Sequence, residues 1–101
     1  MVEFEEHVRR ALDELPPDLA RQLENVAVVV EDEHPGEPDL FGLFEEEPYL
    51  PAKITIYRRP LEDEFGDDPR ELQHEIRITV LHELAHYFGI DEDRLEELGY
   101  D

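Results

Sequence analysis

Three residues in the stretch Val80-Leu-His-Glu-Leu-Ala-His-Tyr-Phe-Gly89 have the types and spacing for metal-assisted chemistry: His82, Glu83 and His86, an H-E-x-x-H pattern. On a helix, residues four apart stand about 40° apart around the axis and about 6 Å apart along it. Two imidazoles at that offset converge on one metal ion. Glu83 follows the first histidine on the flank of the same face, where a carboxylate can take a proton from water. Two neutral imidazoles plus an oxygen ligand, with one position open to water, make a catalytic zinc site. Only fifteen residues follow His86, so a further ligand comes from that tail or from earlier in the chain. The acidic cluster Asp91-Glu92-Asp93 lies in the tail.

The element that positions these groups is a long helix. Leu72, Ile76, Val80, Leu84 and Phe88 recur every four residues, with Leu81 and Ala85 beside them, and form one broad apolar face. His82 and His86 fall roughly opposite it, with Glu75 and Thr79 on the histidine side. Asp68 is placed to cap the start, with Pro69 at the first helical position, and Gly89 to end the helix in a left-handed cap.

Upstream, residues 3–15 read as a helix stopped by Pro16-Pro17, with Phe4, Val8, Ala11, Leu12 and Leu15 on one side. Pro17 opens a short second helix with Leu19 and Leu23 facing inward. Val26–Val30 is β-branched and reads as a buried strand. Residues 40–44 read as a short strand or irregular edge, in which Gly42 signals a bulge or the close approach of another backbone. Residues 53–58 alternate cleanly, with Ile54 and Ile56 on one side and Thr55 and Tyr57 on the other. Acidic, proline-bracketed residues 59–69 read as a loop, and Asp91 to Leu98 as a last helix with Leu95 and Leu98 inward. The fold class is α+β: one domain over residues 1–101, with a mixed sheet of two or three strands packed on the long helix and flanking helices. An unpaired sheet edge above the histidines, at residues 40–45 or 53–58, would accept an extended peptide as an added strand.

The formal charge is −20, from 29 acidic against 9 basic residues. Such a surface repels phosphate backbones and attracts cations and basic peptides, so nucleic acid is not an expected partner. There is no cysteine, which excludes disulfides and thiolate metal sites. No signal peptide or membrane-length apolar run is legible, so a soluble, cytoplasmic protein is expected.

The stretch from Val80 to Gly99 resembles the signature of the minimal zincins, short bacterial chains of about this length classed as metallopeptidases. Asp39-Leu-Phe-Gly-Leu-Phe-Glu45 and Ile54-Thr-Ile-Tyr-Arg-Arg-Pro60 are similar to that family too. The resemblance implies a truncated zincin fold with a shallow groove, Zn2+ on His82 and His86, Glu83 as catalytic base, and a peptide or protein substrate, a basic one given the charge. The related aspartate zincins extend the pattern to H-E-x-x-H-x-x-G-x-x-D. Here the position three after Gly89 is Glu92, which makes it the expected third ligand, with Asp91 and Asp93 as substitutes. The expected function is zinc-dependent peptide hydrolysis. The alternative is a zincin-shaped binding module that offers an acidic groove to a basic segment without turnover. Candidate oxyanion donors are Tyr87, Tyr100 and Arg94, although the helical period turns Tyr87 toward the core. His34 is a candidate ligand from a distant loop. His74, two turns before His82, is too far along the helix to share its metal, and His7 is expected to be a partly exposed helix residue.

Overall fold

The computed structural model describes residues 3–89 and 92–97, with the side chains of all of these but Phe88, Glu92 and Leu95. Helix α1 (Phe4–Asp13) and helix α2 (Pro17–Gln22) lead through a single 3-10 turn into strand β1 (Val26–Glu31). Strands β2 (Gly42–Glu45) and β3 (Ala52–Tyr57) follow, then helix α3 (Arg58–Phe65), helix α4 (Pro69–Phe88) and helix α5 (Glu92–Glu97). The sheet order is β1-β3-β2, with β1 parallel and β2 antiparallel to β3. The class is α+β with a small mixed sheet, as expected, and no described helix is long and apolar enough to cross a membrane.

The core forms where α1, α4 and the sheet meet. Ile54, Ile56, Leu61, Ile76, Val80, Leu81 and Leu84 are wholly shielded from solvent. Each such side chain stabilises the fold by about 1.5–3 kcal/mol relative to exposure. From Leu72 to Leu84 the four-residue repeat of α4 is therefore its core face, and α1 packs Phe4, Val8 and Ala11 onto the same core. Both ends of α4 are built as the sequence indicates. The Asp68 carboxylate accepts a hydrogen bond from the Arg70 amide at 3.0 Å, and Gly89 adopts a left-handed conformation with φ 66°.

Four expectations are corrected. Residues 58–65 form a helix, not a loop. Pro60 sits in its first turn, where a missing N–H costs nothing, and Leu61 and Phe65, one turn apart, supply an apolar stripe among acidic neighbours. Residues 53–58 are not an edge: Ala52–Tyr57 is the central strand and both of its faces are buried, while Arg58 already belongs to α3. Val26–Val30 is instead the outer parallel strand, only half buried, with Ala27 exposed. His7 is buried, not partly exposed. It faces α4, with Nδ1 3.4 Å from Gln73 Oε1, and Gln73 donates in turn to Glu14 at 2.7 Å.

Candidate functional site

The site is the seam between α4 and the outer side of β2. Strand β2 has β3 as its only neighbour, so its other side is an open edge. The Tyr57 amide donates to the Phe41 carbonyl at 2.9 Å, which sets the parity of the pairing. Leu43 and Glu45 direct their backbone groups toward β3, and Gly42 and Phe44 direct theirs outward.

Helix α4 reaches this edge because Gly42 has no side chain. A Cβ at Gly42 would stand 2.6 Å from Thr79 Cγ2, 3.3 Å from the Thr55 carbonyl oxygen and 3.7 Å from Glu83 Cγ. The glycine in the strand thus marks a close approach, as its position suggests, both to the β3 backbone and to the side chains of the helix. Thr79 is buried in this contact and its hydroxyl donates to the Glu75 carbonyl at 2.8 Å.

Glu83 is half buried beside β2, whereas His82 and His86 are exposed on the adjoining face of α4. Burial pushes the Glu83 carboxyl above its ordinary value of 4.5. The charge of His86, the Phe44 backbone amide and the charge of His82 pull it part of the way back. The structure therefore brings His82, Glu83, His86 and the outward side of Phe44 to one place. A half-buried carboxyl group with a raised pKa thus lies beside two imidazoles and an open strand edge, an arrangement able to take up and release a proton there.

The other residues singled out by the sequence are distributed as follows. Tyr87 is 39% exposed and does not enter the core; its ring lies on Phe44, with centroids 4.4 Å apart and planes tilted by 30°. Tyr87 follows Glu83 by four residues, so both lie on the row of α4 that faces β2. Arg94 pairs with Asp18 of α2 at 2.8 Å and with Glu97 at 3.6 Å. His34 lies in the loop after β1, where its ring meets Tyr57 of β3. Its Nδ1 accepts from the amides of Gly36 and Glu37, at 3.0 and 3.1 Å, which gives the ring a structural task. His74 is exposed and adjoins Arg77. Asp91 and Tyr100 lie outside the described residues, as does the Glu92 side chain, and Asp93 is exposed on α5. Among the described residues no three His, Asp or Glu side chains gather as a metal-binding group. Two imidazoles four residues apart on one helix are of a type and spacing that fit zinc. The part played by Phe44 and Thr79 was not legible in the sequence; Gly42 was the one signal of the contact that creates it.

A family model described as zincin-like metallopeptidase matches residues 23–100. The chain belongs to this family, whose members are zinc peptidases in general type, and the fold is that of a minimal zincin. A search of curated proteins gave no match.

Proposed function

We propose that the chain is a zinc-dependent peptidase that cleaves extended, basic polypeptide segments. The observation that carries this reading is the place of Glu83: half buried, next to both histidines and facing the open side of β2. His82 and His86 would hold the metal with one of Glu92, Asp91 or Asp93. Zinc supplies there a Lewis acid that makes water a competent nucleophile near neutral pH. Glu83 accepts the proton of the attacking water and then delivers it to the leaving amine. Burial favours this, because a carboxylate held above its ordinary pKa is a stronger base. The outward backbone groups of Gly42 and the outward Phe44 carbonyl hold the peptide as an added strand, while the Phe44 amide stays on the Glu83 carboxylate, which sets the peptide carbonyls against the helix face that carries Glu83. The charge of −20 draws in basic chains and repels acidic ones.

Glu83→Gln tests the assignment. Zinc content by elemental analysis should match the wild type, while hydrolysis of a quenched-fluorescent peptide library should fall by about 10²–10⁴-fold. Cleavage by the variant at the wild-type rate would remove Glu83 as the base. Zinc bound stoichiometrically by a wild-type protein that cleaves nothing in the library would replace the peptidase with a binding module of the same shape.

A further inference from the structure

The two most exposed large apolar side chains among the described residues are neighbours in one turn. Among the described residues, the large hydrophobic ones open to solvent are Tyr49, at full exposure, Leu50 at 62% and Tyr87 at 39%. Tyr87 covers Phe44 of β2, and Tyr49 and Leu50 sit in the turn that continues from β2 into β3. Single exposed apolar residues are ordinary on a protein surface, but a group of them at one place marks a contact surface. Tyr49 and Leu50 make such a pair in the turn that follows the strand assigned to the substrate.

The surroundings of the group define what it would bind. Glu45, Glu46 and Glu47 precede Tyr49 directly, and prolines 48 and 51 bracket Tyr49 and Leu50. Between the turn and β3 lies a shallow hollow of about 90 Å³, lined by Glu45, Glu47, Leu50, Pro51 and Lys53. Lys53 stands 3.6 Å from Glu45, and the Glu47 carboxylate has no ion-pair partner among the described residues. Leu50 and Pro51 beside the Glu47 carboxylate suit the aliphatic stem and cationic head of arginine or lysine, with Lys53 already paired to Glu45. A second copy of this chain, at −20, would meet like charge here.

We propose that the β2–β3 turn is a recognition element for the substrate, in which Tyr49 and Leu50 take an apolar residue of an extended peptide and Glu46 and Glu47 take the basic residues beside it. The proposal rests on the reading of β2 as the peptide-docking edge. A peptide paired along β2 reaches the turn within about two residues (~7 Å) of the rung at Phe44. Selection is therefore made close to the catalytic face but on side chains that take no part in the chemistry. Tyrosine contributes a large contact area at low conformational cost, which is why it dominates such surfaces.

The test uses two fluorescein-labelled peptides, one alternating leucine and arginine and one alternating leucine and glutamate, with binding read by anisotropy on the full chain. The wild type should bind the leucine–arginine peptide at least about tenfold more tightly than the acidic one, with affinity falling as salt rises. Tyr49→Ser with Leu50→Ser should weaken that binding by about tenfold or more. Both side chains are exposed, so circular dichroism and thermal melting of the variant should match the wild type. Glu46→Gln with Glu47→Gln should reduce the preference between the two peptides and flatten the salt dependence. Equal binding by the wild type and the Tyr49/Leu50 variant would overturn the proposal, as would a wild type that binds neither peptide. Cleavage is followed in the same samples. Binding without cleavage leaves the recognition element standing and removes the peptidase, whereas unchanged kcat/KM in the Tyr49/Leu50 variant removes the recognition element alone.

Discussion

At the scale of single residues, the same physics, removal of a polar group from water, acts on two side chains with different consequences. Glu83 is half buried, and the free energy this costs its charged form is what makes it a better base. Tyr57 is almost wholly buried on the outer face of β3, and burial, with the charges of Glu31 and Glu45 nearby, raises its phenol above the ordinary value of 10.0. The folded state therefore disfavours the phenolate more than the unfolded chain does. The associated stability is present in full below about pH 10 and is lost as pH climbs from there toward the folded-state pKa. Denaturant midpoints measured between pH 9 and about pH 11 should fall for the wild type more steeply than for Tyr57→Phe. Equal slopes would mean that the ring opens to water before it ionises. His34 meets the Tyr57 ring edge-on, with centroids 5.8 Å apart, and phenylalanine preserves that contact. The histidines illustrate what residue type alone leaves open. His82 and His86 are exposed, His34 accepts two amides in a loop, and His7 is buried against α4, although all four are the same side chain.

At the scale of elements, the site depends on how closely α4 lies against β2. Gly42→Ala places a methyl group 2.6 Å from Thr79 Cγ2, so strand and helix must part or Thr79 must shift. Overpacking of this kind costs about 1–3 kcal/mol. The variant should melt earlier, and Thr79→Ser, which deletes the opposing methyl, should restore most of the loss when combined with it. A double variant no more stable than Gly42→Ala would place the strain at the Thr55 carbonyl instead. The helix itself was legible in the sequence to its ends, because a four-residue apolar repeat, a capping aspartate and a terminal glycine are all local signals. Helix α3 was not. Its proline and acids resemble those of a loop, and Leu61 and Phe65 acquire meaning only once Phe41 and α4 are there to cover them. The strands were recognised one by one, but the order β1-β3-β2 was not, since pairing joins residues far apart in the chain and alternation says nothing about neighbours.

At the scale of the molecule, charge and metal bear on stability in opposite directions. The ion pairs are mostly exposed, such as Arg58 with Asp32 at 2.7 Å, and stabilise little, while a surplus of twenty negative charges strains the compact state. A divalent cation bound only by the folded chain should offset this. Zinc at about 100-fold over its dissociation constant adds about 2.7 kcal/mol, which for a domain of this size raises Tm by roughly 10–20 °C. Differential scanning fluorimetry should show that rise in the wild type and none in His82→Ala; equal rises would locate the zinc elsewhere. The family match begins at residue 23, yet α1, which precedes it, contributes Phe4, Val8 and Ala11 to the core under α4. Two tiers of information are thus separable in this protein. The sequence by itself determined the long amphipathic helix, the spacing of His82, Glu83 and His86 on it, the strand segments and the acidic surface, because each depends on residue type and local period. The tertiary structure alone decided that β2 is the open edge beside Glu83, that Glu83 is half buried, and that Tyr49 and Leu50 stand exposed in the turn after β2. Burial and strand order arise from contacts between residues distant in sequence, and no local pattern encodes them.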